Sequence, residues 1–147
     1  MIDYNLVKKK LTKKTLSIIK EAIKNKDLVY IAVPYTHKLE SIRNSRFDSV
    51  TELSGMLAAA GIANISPITQ SHMQAIYVKI GTKWRTWKRI DTIFLQRCDQ
   101  IWVLNLPGTV DSVGVSAELE IARSLDIPIR AITYNEQTKV FSISSEV

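Results

Sequence analysis

Leu28-Val29-Tyr30-Ile31-Ala32-Val33 is an unbroken apolar run, rich in β-branched residues and closed by Pro34. A strand with one wet face alternates polar and apolar side chains, whereas a strand buried on both faces does not. The run therefore predicts a central strand of a parallel sheet. Outward from it, Gln100-Ile-Trp-Val-Leu-Asn-Leu106 is a second such segment, broken by Pro107 and Gly108. Ala63 to Ser66 reads as a short strand stopped by Pro67, Ile127 to Thr133 as another, and Val140 to Ile143 as a weak last one. Residues 40–60, 84–98 and 112–125 read as helices, with Gly61 where a C-terminal glycine cap belongs. Residues 67–83 read as a loop with one short apolar stretch, Ala75 to Ile80. Strands alternating with helices predict an α/β domain: a mostly parallel five-stranded sheet with helices on both faces. Ligands of such sheets bind beyond the carboxyl ends of the strands, which selects the loops 34–39, 66–74 and 107–114.

A chain of 147 residues fits one domain with a real core. It contains no apolar run of the ~18–20 residues a membrane span needs. The polar, basic start is not followed by the apolar core of a signal peptide. The single cysteine, Cys98, excludes an internal disulfide and fits a reducing, cytoplasmic setting. Two histidines and one cysteine form no ligand cluster, so no metal site is expected. The net charge of +6 is uneven. Residues 1–27 hold eight lysines against Asp3, Glu21 and Asp27, and the remaining residues hold twelve Lys/Arg against eleven Asp/Glu. A near-neutral body argues against nucleic acid as a partner. Within the basic leader, Leu6, Leu11, Ile18, Ile19, Ala22 and Ile23 form a broken stripe that predicts a helix over residues 4–25, stopped by Asn25 and Asp27. The leader, 1–27, thus reads as an extra N-terminal helix ahead of an α/β domain at 28–147.

Several side chains look chemical. In the helix after Ser112, steps of about 100° put Val115, Glu118, Ala122 and Leu125 on one face, with Glu120 outward. A carboxylate on a core-facing stripe needs a partner or a task in a cleft. The alternative is a carboxylate paired locally near the positive end of the helix. Ser112 and Gly114 lie at the same helix start, where free N–H groups suit an anion and glycine permits close approach, although Ser112 also fits an ordinary N-cap. Trp84, Trp87 and Asp91, at offsets of three and seven, share a helix face continued by Phe94, Leu95 and Cys98. Two indoles beside a carboxylate suit a flat heterocycle; they suit a core with one capping aspartate as well. Tyr35, Thr36 and His37 follow the first strand, and Ser71 and His72 the second, so both histidines are expected to face one cleft.

Taken together, Tyr30-Ile-Ala-Val-Pro-Tyr35, Ser66-Pro67, Asp91 followed by Cys98-Asp99, and Asp111-Ser-Val-Gly-Val-Ser-Ala-Glu118 resemble the nucleoside 2-deoxyribosyltransferase superfamily. The resemblance covers roughly residues 28–133. The superfamily includes 2′-deoxynucleoside 5′-phosphate N-hydrolases and a little-characterised bacterial and phage branch, which Tyr30 to Tyr35 and Trp84-x-x-Trp87 resemble most. It implies a flavodoxin-like three-layer sandwich and cleavage of an N-glycosidic bond by hydrolysis or deoxyribosyl transfer. It implies Glu118 as nucleophile through a covalent glycosyl-glutamate intermediate, and Asp91 beside the sugar or leaving base. Ser112 and Gly114 match positions that hold a 5′-phosphate. Tyr35, His37, Ser71, His72, Trp84 and Trp87 complete the expected substrate site. No cofactor or metal is implied, and a homodimer or larger homo-oligomer is. Val33 stands where much of the superfamily has glycine, Glu120 replaces a frequent glycine, and the leader lies outside the match. The competing expectation is a non-catalytic protein that binds or sequesters a nucleotide derivative in the same cleft.

Overall fold

The computed structural model describes residues 10–135, 137–138 and 140–144. Its elements, in order, are β1 (Lys10–Leu11), α1 (Lys13–Ala22), β2 (Val29–Ala32), α2 (Glu40–Ala59), β3 (Asn64–Ile65), α3 (Pro67–Val78), α4 (Trp84–Gln96), β4 (Gln100–Asn105), α5 (Val113–Ser124), β5 (Ile129–Asn135) and β6 (Val140–Ser144). They form a sheet of order β1-β6-β5-β4-β2-β3. The five strands from β6 to β3 are the expected sheet, parallel except for the antiparallel β5–β6 pair. The sixth strand, β1, adds two residues parallel to β6, with Leu11 opposite Phe141.

The continuous run behaves as its composition requires: Val29 to Ala32 are all buried. Because side chains alternate across a strand, β2 feeds two cores. Val29, Ile31 and Val33 join Trp102, Leu104 and Phe141 under Ile19 of α1 and Val50, Leu53 and Leu57 of α2. Tyr30 and Ala32 join Ile101 and Val103 under Leu95 of α4 and Val115, Leu119 and Ala122 of α5. The result is a flavodoxin-like α/β sandwich. Among the described residues, no helix is long and apolar enough to cross a membrane.

Two expectations need correction. The helix predicted over 4–25 spans only Lys13–Ala22; residues 1–9 lie outside the described residues. Thr12 starts it, its side chain accepting from the Thr15 amide at 3.1 Å, and Lys10–Leu11 are drawn off into the sheet. Helix α1 packs on the domain. Ile19 is fully buried in the core, and Thr15 Oγ1 donates to Phe141 O at 2.8 Å. The segment read as a loop over 67–83 contains α3, with Pro67 in its first turn. There a missing N–H costs nothing and the fixed φ favours the helix, so this proline starts an element rather than ending one. The expected glycine cap of α2 is present: Gly61 has φ of 80°, and the Ile62 amide returns to Leu57 O at 2.9 Å.

Candidate active site

The strand order reverses between the neighbours β2 and β4, which places a crevice beyond their carboxyl ends. A cavity of about 410 Å³ lies there, within the range of small-molecule sites. Val33, Tyr35 and Thr36 approach it from the end of β2, and Asp111 to Gly114 from the start of α5. Ile68, Ser71 and Ala75 of α3 form one wall, and Trp84, Trp87 and Asp91 of α4 another. A second cavity, of about 350 Å³ between α5 and the β4–β5 side, has no ionisable residue in its lining. The chemistry is concentrated in the first.

Glu118 sits one turn into α5, turned inward with Val115 and Ala122 as the helical spacing predicts; Leu125 is exposed and does not continue that face. Glu118 is 7% exposed, and Glu120 lies outside. Tyr30, reaching from β2 through the core, donates its hydroxyl to Glu118 Oε2. Oε1 accepts no hydrogen bond from the described residues and faces the start of its own helix. A methyl group added at Gly114 would lie 3.9 Å from Oε1 and 3.7 Å from the Trp84 ring. Glycine there keeps open the space before the free oxygen.

Burial pushes the Glu118 carboxyl up to about 8; the Tyr30 hydrogen bond opposes this, and the nearby charge of Asp91 adds to it. Asp91 is equally enclosed, at 7% exposure, and burial pushes it up to about 6. Its Oδ1 is buried without a hydrogen-bond partner among the described residues. Burial, and then the charge of Glu118, hold the Tyr30 hydroxyl well above the usual phenol range. Two carboxyl groups of different proton affinity therefore face one largely apolar space. That combination can hold a sugar, attack an electrophilic carbon and manage protons.

The structure brings eight of the ten expected site residues to the cavity: Glu118, Asp91, Tyr35, Ser71, Trp84, Trp87, Ser112 and Gly114. Ser112 is also the N-cap, its hydroxyl accepting from the Val115 amide at 3.2 Å. Trp87 is nearly buried and spends its indole N–H on Gly81 O at 2.7 Å, which fixes the approach to α4. The two histidines are corrected. His37 turns back on its own chain, Nδ1 accepting from the Leu39 amide at 3.0 Å, and does not line the cavity. His72 stands behind Tyr35 rather than in the lining.

Sequence reasoning misses Tyr30, Lys83 and Arg85 as site residues, while Thr36 and Asp111 lie in loops that it selects. Thr36 closes the rim by donating to Thr82 O at 2.8 Å. Lys83 and Arg85 bring positive charge to the same wall, next to Trp84. Their position beside Trp84 in the sequence is a signal that could have found them; Tyr30 offers none, because in a fully buried strand a tyrosine reads as core.

Residues 27–134 match the family model described as Domain of unknown function (DUF1937), and the chain belongs to that family. The match contains every residue that lines the cavity and leaves out α1 and β6. No curated protein matches the chain.

Proposed function

We propose that this member of the DUF1937 family cleaves the N-glycosidic bond of a nucleoside 5′-monophosphate or nucleoside. The observation that carries the proposal is the state of Glu118: a buried carboxyl with Oε2 held by Tyr30 and Oε1 unheld in the cavity. Such a bond breaks through an oxocarbenium-like transition state, which an adjacent carboxylate stabilises and can trap. Glu118 Oε1 attacks C1′, the base leaves with the bonding pair, and water or a second base then takes the sugar from the glutamyl ester. Asp91 orients the sugar and adds negative charge beside the developing cation. The indole of Trp84 supplies a flat apolar wall for the base. Ser112 and Gly114 at the start of α5, with Lys83 and Arg85 opposite, suit a 5′-phosphate. The reaction as written draws on no cofactor. The resemblance to the nucleoside 2-deoxyribosyltransferase superfamily supports the same assignment.

A homo-oligomer in the cytoplasm belongs to this proposal. One side of α3 lines the cavity through Ile68, Ser71 and Ala75, while Met73, Ile76 and Tyr77 leave another apolar side exposed. A second copy seated there would lie beside the cavity, and the molecular mass in solution, measured by light scattering, tests it.

The functional test is release of free base from a panel of nucleosides and nucleoside 5′-monophosphates, followed by chromatography. Release is expected from the wild type and, for Glu118→Ala, a loss of about 10³-fold or more. Release that survives this substitution removes Glu118 from the mechanism. Absence of release from every substrate overturns the catalytic assignment and leaves nucleotide binding as the role of the cavity.

A further inference from the structure

Tyr35 has two neighbours of different kinds. Tyr35 is half-buried and lines the cavity, and its hydroxyl lies 2.6 Å from Nδ1 of His72. The two rings meet edge to face, with centroids 5.6 Å apart at 87°. His72 is 6% exposed and outside the cavity lining. Its other face is covered by Phe47 of α2, the rings stacked at 4.1 Å and 17°. Nothing in such packing requires a hydrogen-bonding imidazole; a third aromatic ring would fill the space. His72 Nε2 has no hydrogen-bond partner among the described residues, and the residue keeps 6% of its surface exposed. The imidazole thus bridges solvent on one side and a cavity-lining phenol on the other.

The electrostatics suit a pair that passes protons without holding charge. Burial lowers the proton affinity of His72 and raises that of Tyr35, so both groups are neutral near pH 7. The charged groups facing His72 are Glu40, Arg43 and Asp48 of α2, which act with opposite signs. Arg43 also faces Tyr35. Neither Tyr35 nor His72 is hydrogen-bonded to a carboxylate that would fix one tautomer.

Neither buried carboxyl group of the cavity supplies the proton this task needs. If Glu118 is the nucleophile, it acts as the anion. Asp91 is pushed up only to about 6 and is mostly ionised at neutral pH. A departing base still needs a proton.

We propose that Tyr35 and His72 form a relay that carries a proton from solvent to the leaving base, with Tyr35 as the catalytic acid and His72 as its positioning residue. This rests on the N-glycosidic function above. As the C1′–N bond breaks, the bonding pair stays on the base nitrogen, which takes the Tyr35 hydroxyl proton. The phenol oxygen takes the proton from His72 Nδ1, and His72 Nε2 takes one from solvent. Glu118 Oε1 bonds to C1′. The net transfer is one proton from solvent to the base, returned when water opens the glutamyl ester, and nothing is oxidised or reduced.

The test compares leaving groups. The probes are the deoxynucleoside 5′-monophosphate turned over best and the para-nitrophenyl glycoside of the same sugar phosphate, whose nitrophenolate departs without protonation. Tyr35→Phe is expected to slow base release by about 10²-fold more than nitrophenolate release. His72→Phe, which keeps a ring against Phe47, shifts the same ratio in the same direction, while His72→Gln does not restore it. Equal losses on both probes, or no loss on the nucleotide, overturn the relay and leave the glycosidic function standing. A wild type that releases neither leaving group overturns both. Melting curves of the variants identify misfolding, which lowers both rates together and leaves the ratio at its wild-type value.

Discussion

The two faces of the sheet treat buried polar groups in opposite ways. On the face under α1 and α2, Gln100 is one of the deeply buried polar side chains, 3% exposed. Its Nε2 donates to Ala22 O at 2.8 Å and Asp27 Oδ2 at 3.0 Å, and its Oε1 accepts from Trp102 Nε1 at 3.0 Å. On the face under α4 and α5 lie Glu118, with one oxygen held, and Asp91, with Oδ1 unpartnered. The same strands build both faces, and the same physics penalises an unmet polar group on either. The difference teaches where to look for function. A satisfied buried network is structural, whereas groups left wanting beside a cavity are held for a ligand.

The largest effect expected from this contrast is at Glu118. Replacement by glutamine keeps the shape and an acceptor for Tyr30 but removes the charge and the nucleophile. Base release should fall by about 10³-fold or more, while the protein becomes more stable in alkali. The sign follows from proton linkage. A carboxyl at its ordinary value of 4.5 when unfolded and about 8 when folded binds its proton more tightly in the folded state. It therefore favours folding below pH 4.5, and that contribution is lost as pH rises toward 8. At pH 9, Glu118→Gln should gain about 1–3 kcal/mol, on the order of 2–4 °C in melting temperature per kcal/mol at this size. Near pH 4 the difference should vanish. A variant less stable than wild type at pH 9 would mean that this face is as well satisfied as the other.

A smaller effect separates the neighbours of Glu118. Asp91 raises its proton affinity and Tyr30 lowers it. Asp91→Asn should therefore move the titration of Glu118 to lower pH and Tyr30→Phe to higher pH, read directly by carboxyl carbon NMR. The wild-type kcat/KM should climb with pH through about 8, as the nucleophile ionises. At pH 7, loss of the Tyr30 hydrogen bond should cut it by about tenfold. Midpoints that moved the same way in both variants would show that the pair does not act on Glu118 with opposite signs.

The two faces also differ in how much of them the sequence discloses. Period and composition are enough for the buried strand at Leu28 to Val33 and for the inward turn of Glu118, because both depend on backbone geometry alone. Asp91 is legible because a charge interrupts an apolar stripe. Tyr30 is not: with every residue of β2 buried, no alternation sets its hydroxyl apart. The error over His72 has a geometric cause. Read as loop, residues 71 and 72 share one cleft; on α3 they are turned about 100° from each other. Ser71 then faces the cavity and His72 the Phe47 ring. His37 turns from the cleft because a local bond to the Leu39 amide competes with it, and its spacing does not reveal that.

The smallest effect tests the satisfied face. Gln100→Leu would add apolar surface to a core that already contains Trp102 and Ile19, and area alone would make it stabilising. Hydrogen bonding predicts the opposite. The substitution strands the Trp102 indole N–H and the Ala22 carbonyl, and removes one of the two hydrogen bonds that lower the Asp27 carboxyl; the other, from the Lys24 amide at 3.0 Å, remains. A donor and an acceptor left unmet in a dry interior outweigh the gain of a leucine, so a net loss of about 1–3 kcal/mol is expected. Base release by the folded fraction should not change, since Gln100 lies outside the cavity lining. Asp91→Asn gives the matching measurement on the other face, where Oδ1 has no partner to lose. If both substitutions lowered the denaturant midpoint equally, the unmet oxygen of Asp91 would be stabilising the fold through a contact of its own, and the contrast between the faces would fail.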